Sequence, residues 1–198
     1  MQPPRNVAIL IFDEVEVLDF CGPFEVFSVA GRSRDEMPFN VYTVAERLEP
    51  VLARNGLSVN PRYTITDCPP PDLVVVPGGY GARTEMHNPA VLAWIKRWAA
   101  PAELVLSVCT GALMLAKAGV LDDLAATTHH AAFDLLRAVA PRTTLREGQR
   151  FVDNGKVITS AGISAGIDMS LYVVGRLLGE EYAHETARRM EYRWQPGA

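Results

Sequence analysis

The chain has 198 residues, enough for one domain with a substantial core, and its 48% hydrophobic and 21% charged residues are those of a globular protein in water. A net charge of −4 without any Lys/Arg block excludes a nucleic-acid surface as the main function. No apolar run is long enough to cross a membrane, and Val7 to Phe12 is too short for a signal peptide, so a cytoplasmic chain acting on a small molecule is expected.

Residues 1–198 read as a single domain without repeat, linker or low-complexity segment. Cys21, Cys68 and Cys109 are an odd set with neither disulfide-framework nor metal spacing, which predicts reduced thiols.

Val7 to Phe12 does not alternate, so it predicts a parallel strand covered on both faces. Asp13 to Glu16 is an acidic loop. Leu18-Asp19-Phe20-Cys21-Gly22-Pro23 then leads into a helix that turns Phe24, Val26, Phe27 and Ala30 inward, with Pro23 suited to its first turn. Asp19 falls at the carboxyl edge of the first strand, where open α/β sheets collect ligands; capping the helix is the equal alternative. Glu25 reads as an exposed or structural carboxylate.

Asn40 to Glu46 predicts a second strand, and Val51 to Val59 with its Asn55-Gly56 turn a small hairpin. Cys68-Pro69-Pro70-Pro71-Asp72 is a rigid approach to the strand Leu73 to Pro77, which ends in Gly78-Gly79-Tyr80-Gly81. Neither G-x-G-x-x-G nor Gly-Lys-Ser/Thr is present, so no nucleotide cofactor is expected. Gly78 and Gly79 either form a tight turn or bring backbone amides to a reacting atom as hydrogen-bond donors for developing negative charge. Asn88-Pro89 starts a helix through Trp98 that closes before Pro101.

The stretch Glu103 to Gly119 organises the rest. Leu104 to Val108 is an apolar buried-strand run, helical spacing begins near Leu113, and Cys109 sits at the corner between them. Thr110, Gly111 and Ala112 keep that corner small, so the chain can turn sharply and project the sulfur above the sheet, as in a nucleophile elbow. The unpaired N–H groups of the helix start predict a lowered thiol pKa. A buried structural cysteine is the bland alternative, and the strand-to-helix corner favours the nucleophile.

Ala126 to His130 predicts a short strand leading into a helix over Ala131 to Ala140. On a strand the adjacent histidines point to opposite faces, and no Cys, Asp or Glu stands at ligand spacing, so no metal is expected. One of the pair, His129, is a candidate pocket residue because imidazole shifts protons near neutral pH. Arg150 to Val152 and Val157 to Ser160 predict a hairpin around Asn154-Gly155. Ala161-Gly162-Ile163-Ser164-Ala165-Gly166-Ile167-Asp168 opens a long apolar helix through Leu178, with Asp168 structural, and a charged helix runs from Glu180 to about Tyr192.

The ordered set Leu18-Asp19-x-x-Gly22-Pro23, Pro77-Gly78-Gly79, Ser107-Val108-Cys109-Thr110-Gly111, Thr127-Thr128-His129 and Ala161-Gly162-x-x-Ala165-Gly166-Ile167-Asp168 resembles the ThiJ/PfpI superfamily, of the class I glutamine amidotransferase-like type. The resemblance runs from Val7 to the Glu191-Tyr192 pair. It implies a flavodoxin-like three-layer α/β sandwich with a mostly parallel central sheet and a cysteine nucleophile elbow, in a chain expected to form a homodimer, for which the helices bearing Gly22 and Gly166 are candidate surfaces and the choice of surface stays open.

Within the superfamily, Thr110 stands where intracellular proteases carry histidine. His184 and Glu185 are adjacent and do not form the late His-x-Glu of amidotransferases. Asp19 takes the place of the glutamate usual in the glyoxalase and deglycase branch. Leu18-Asp19-x-x-Gly22-Pro23 with Cys109-Thr110-Gly111 is most similar to the isonitrile hydratase family, from which Cys21 departs in place of threonine and His130 in place of tryptophan. That similarity implies Cys109 as nucleophile, Asp19 as proton carrier and Thr110 beside them. Amides at Gly78, Gly79 and Gly111 would hold the polar intermediate, and no cofactor is needed to turn an isonitrile into an N-substituted formamide. Two rival readings stay open. One is a ligand- or redox-sensing domain like the N-terminal domain of AraC-type transcription regulators, which share the elbow and the Thr-Thr-His segment; the other is a glyoxalase-type reaction on 2-oxoaldehydes.

Overall fold

The apolar run near the N-terminus folds as β1 (Arg5–Leu10) in a computed structural model that describes residues 3–195. It is followed by α1 (Val17–Val29), β2 (Phe39–Ala45), the ribbon β3 (Val51–Leu52) and β4 (Ser58–Val59), β5 (Tyr63–Thr64) and β6 (Leu73–Val76). Next come α2 (Ala82–Glu85), α3 (Pro89–Ala99), β7 (Leu104–Val108), α4 (Gly111–Lys117), β8 (Ala125–Ala126), α5 (Phe133–Val139) and β9 (Thr144–Leu145). The chain closes with β10 (Phe151–Asp153), β11 (Val157–Ser160), α6 (Ala165–Leu178) and α7 (Glu180–Arg189).

Seven strands form one sheet in the order β10-β11-β7-β6-β1-β2-β5, with every pairing parallel except β10 against β11. The continuous apolar runs belong to its centre: β6 and β7 are buried at every position, because helices cover both faces. Helices α1, α6 and α7 pack together in one layer, and α2 to α5 form the other, which makes the three-layer sandwich. Strand order reverses between β6 and β1, and ligands collect above the carboxyl ends of strands at such a point. Among the described residues no helix is long and apolar enough to cross a membrane.

Several boundaries differ from expectation. Helix α1 begins at Val17, so Pro23 lies in its interior and not in the first turn. The early start comes from the turn itself: the Asp19 N–H donates to Glu16 O at 3.1 Å and begins the helical ladder without any side-chain cap. Strand β8 ends at Ala126, and Thr127 to His129 is irregular. Side chains tie that segment down in place of a ladder: Thr127 N–H donates to Thr159 Oγ1 at 3.0 Å, and the Thr128 hydroxyl donates to Cys109 O at 2.8 Å. Residues 161–164 form a turn, so α6 starts later than expected, and α7 stops at Arg189. The glycine-bearing faces of α1 and α6 are used inside the chain. A Cβ at Gly22 would lie 3.0 Å from Ile167, and one at Gly166 would lie 2.9 Å from Val108, so these faces seat helix on helix and helix on strand.

Candidate active site

Cys109 occupies the corner between β7 and α4 with φ of 57°, in the left-handed region that L-residues enter at a cost of about 1–2 kcal/mol. The surroundings hold it there. Its N–H is shared between Ser160 O and Ala161 O, each at 3.2 Å, and its carbonyl accepts the Thr128 hydroxyl at 2.8 Å. Gly111 makes the sharp exit possible, since a Cβ there would meet Val76 O at 2.0 Å. The elbow read from the sequence is thus present, clamped by β11 on one side and by Thr128 on the other.

Asp19 reaches the same place from the first turn of α1. The Glu16 N–H donates to Gly78 O at 2.9 Å, while the Gly78 N–H donates to Asp19 Oδ2 at 3.1 Å. This reciprocal pair fixes the start of the helix, and with it the carboxylate, against the end of β6. Asp19 is fully buried, and among the described residues its Oδ1 finds no hydrogen-bond partner of normal geometry. Burial lifts its pKa to about 7, with a smaller push from the Glu16 charge, against the Gly78 N–H, the Cys109 thiol and the Ile163 N–H, which favour the charged form.

The thiol responds in the opposite sense from the sequence expectation. Burial first, and the Asp19 charge second, push the Cys109 pKa up to about 12, against the Thr110 N–H and hydroxyl that favour thiolate. The helix-start amides are therefore too weak here to hold a free thiolate at neutral pH.

Thr110 and the two glycines interlock. The Gly79 N–H donates to Thr110 Oγ1 at 3.0 Å, and the Thr110 hydroxyl donates back to Gly79 O at 3.0 Å. A Cβ on Gly78 would lie 2.4 Å from Thr110 N, and Gly79 has φ of 124°, so both glycines are required by close approach. The amides of Gly78 and Gly79 are already committed to Asp19 and Thr110. They position those side chains and are not free donors for an intermediate, which corrects the role read for them from sequence.

His129 and His130 do not point to opposite faces, because the segment carrying them is not a strand. Their rings stack with centroids 4.1 Å apart at 37°. His129 Nδ1 accepts the Ala131 N–H at 3.2 Å, which leaves Nε2 as the protonated nitrogen of the neutral ring. The ring rests on Gly162, where a Cβ would lie 2.3 Å from His129 Cδ2. Burial, then His130 and Arg83, hold its pKa below the usual histidine value. Among the described residues no group of three or more His, Cys, Asp or Glu is arranged to hold a metal ion.

A cleft of about 780 Å³ opens beside the elbow, with Thr128, His129, Phe133, Arg150, Gly162 and Ile163 among its walls. Cys109 is 5% exposed and does not line it, but Thr128 hydrogen-bonds the Cys109 carbonyl, and Ile163 faces both the cleft and Asp19. Sequence reasoning did not single out Thr128, Arg150 or Ile163 as site residues. Ile163 is β-branched at φ of 56°, a rare combination that only the neighbouring Gly162 hinted at.

The comparisons with known proteins agree with this architecture. The model of the DJ-1/PfpI family matches residues 5–176. The chain is 36% identical over 188 residues to isonitrile hydratase of Pseudomonas putida, covering 94% of this chain and 78% of that protein. It is 28% identical to the HTH-type transcriptional regulator CdhR of Pseudomonas aeruginosa, covering 91% of this chain and 53% of the regulator. Among solved structures, a ThiJ/PfpI family protein from Pseudomonas syringae superposes with TM-score 0.87 at 30% identity, covering 100% of this chain and 78% of that one. Drosophila melanogaster DJ-1beta superposes with TM-score 0.82 at 19% identity, covering 97% and 100%, a likeness of fold. By its matched sequence and by the elbow, sheet and carboxylate that the match spans, this chain belongs to the DJ-1/PfpI family.

Proposed function

We propose that the protein hydrates an isonitrile to the corresponding N-substituted formamide through a covalent thioimidate on Cys109, with Asp19 carrying the protons. The observation that carries this reading is the buried Asp19 carboxylate, locked by the Gly78 N–H against the thiol of a strained elbow. The relation to isonitrile hydratase of Pseudomonas putida supplies the substrate class.

Since burial and the Asp19 charge raise the pKa of the thiol to about 12, attack needs a local base, and ionised Asp19 is the base in this proposal. Asp19 takes the thiol proton as sulfur bonds to the terminal carbon, then delivers that proton to the same carbon, giving R–N=CH–S–Cys109. Water adds to this carbon while the nitrogen gains a proton. The carbon–sulfur bond then breaks as Asp19 passes the remaining hydroxyl proton to sulfur, and R–NH–CHO leaves. The first-turn amides at Thr110 and Gly111 are the donors proposed for the intermediate, and neutral His129 offers its Nε2–H from the cleft side.

The resemblance to CdhR favours a second reading, ligand sensing at the same pocket. Oxidant sensing through Cys109 is the poorer form of it, because thiolate is the oxidisable species and the pKa of this thiol is raised. We further propose a homodimer, with Leu18 and Phe24 of α1 in the contact; they are 37% and 36% exposed, so Phe24 faces outward and not inward as its helical spacing predicted.

Formamide production from cyclohexyl isonitrile decides between catalysis and sensing. Turnover by the wild type, with loss of at least about a hundredfold in both Cys109→Ala and Asp19→Asn, is expected. Undiminished turnover in Cys109→Ala would rule out covalent catalysis.

A further inference from the structure

The cleft beside the elbow has a charge pattern unlike that of the molecule around it. In a chain of net charge −4, no Asp or Glu is found among the described residues lining it, whereas Arg150, His129, His130, Gln149 and Ser164 all are. A second cleft, of about 430 Å³ near the ends of β1 and β2, is lined by Asp13, Glu46, Glu49 and Glu85 with Arg47, so acidic walls are available to this protein and are absent where they would face the elbow.

Arg150 is built into its wall. Its Nε donates to Asp168 Oδ2 at 2.5 Å and its Nη2 donates to Ser164 Oγ at 3.1 Å, while Tyr192 Oη donates to the other Asp168 oxygen at 2.9 Å. The guanidinium is thereby oriented through Nε and Nη2, and among the described residues Nη1 has no hydrogen-bond partner. Its backbone is joined to the elbow in two steps, Ala161 N–H to Arg150 O at 2.9 Å and Cys109 N–H to Ala161 O at 3.2 Å. Two carboxylates temper the positive field, Asp168 at the guanidinium and Glu16 acting on His129; Arg83 and His130 act on His129 with the opposite sign.

We infer that the cleft takes a substrate whose N-substituent carries a carboxylate, with Arg150 Nη1 as its anchor and the stacked His129–His130 pair as the wall along which the substituent lies. The inference rests on the hydration reading above for the reacting end and adds the class of the other end. A guanidinium already fixed through Nε and Nη2 offers its Nη1 hydrogens to a carboxylate with little loss of side-chain freedom.

Isocyanoacetate and its methyl ester, nearly alike in shape at the reacting end and different in charge, test this. The wild type should favour isocyanoacetate in kcat/KM by about tenfold or more, mainly through KM. Arg150→Gln should bring the ratio near one. Because that change also unpairs Asp168, a second variant is needed: His130→Glu sets a carboxylate on an exposed wall position and should likewise abolish the preference. A wild-type ratio near one, or a ratio unchanged in both variants, would overturn the inference and leave the hydratase reading standing. Should neither isonitrile be hydrated, binding of N-formylglycine and its methyl ester to Cys109→Ala, followed by NMR of the His129 and His130 rings, separates the two ideas. Carboxylate-dependent binding that Arg150→Gln removes keeps the anion-binding cleft while the hydratase reading falls; equal binding of both probes, or of neither, discards the cleft as well.

Discussion

Asp19 and Cys109 share one buried site, and their opposing demands set the pH behaviour. Attack as proposed requires ionised Asp19 with the proton still on sulfur, a form that dominates between about 7 and about 12. The kcat/KM profile should therefore fall on the acid side with an apparent pKa near 7. The same shift makes a stability prediction. Burial holds the folded-state pKa of Asp19 above its ordinary 3.8, so the neutral acid stabilises the fold fully below 3.8, and this contribution is lost as pH rises to about 7. Asp19→Asn, which does not titrate, should gain on the wild type over that interval, reaching about 2–4 kcal/mol above neutrality. Denaturant melts at several pH values check it; an advantage that does not change with pH would contradict a buried, charge-averse carboxylate.

Among the elements, the elbow depends on how closely α4 leaves β7 past the end of β6. Gly111→Ala sets a methyl group against the Val76 carbonyl, which belongs to the sheet and cannot yield as a side chain would. A loss of about 2–4 kcal/mol is expected, with the remaining folded protein impaired in activity, as measured by urea titration and assay. The same elements show what the sequence could reveal. β1, β6 and β7 were legible because strands covered on both faces read as nearly continuous apolar runs, here Val7 to Leu10, Leu73 to Val76 and Leu104 to Val108 with Ser107 as the one polar residue. The start of α3 was legible because Asn88 caps it, accepting the Ala90 N–H at 3.0 Å. The start of α1 was not, since Glu16 provides no side-chain cap and the helix is pinned instead by Gly78, more than sixty residues on in the chain. Thr127 to His130 was misread as a strand because its fixing partners, Thr159 and the Cys109 carbonyl, are remote in sequence.

For the whole molecule, Cys109 and the Gly78-Gly79 turn could be picked out from local chemistry, which left Asp19 with two equal readings that only the family resemblance weighed, whereas the cleft could not be read at all. Its walls come from segments near residues 128, 150 and 163, and no local pattern joins them. The thiol pKa was misjudged for the same reason: helix-start amides are visible in sequence, but the burial that overrules them belongs to the assembled fold. Assembly of two copies is also a property of the whole. The inner faces of α1 and α6 are spent within the chain, so the proposed homodimer falls to the outer face of α1. Phe24→Glu should shift light scattering from dimer towards monomer; a wild type that is monomeric at micromolar concentration would refute this contact.

The most direct test of the proposed chemistry is mass spectrometry of the intact protein quenched in acid during turnover of an isonitrile. An added mass equal to one substrate, mapped to the peptide bearing Cys109 and absent from Cys109→Ala, is the expected result. Continued formamide formation with no adduct on Cys109, together with an active Cys109→Ala variant, would contradict it.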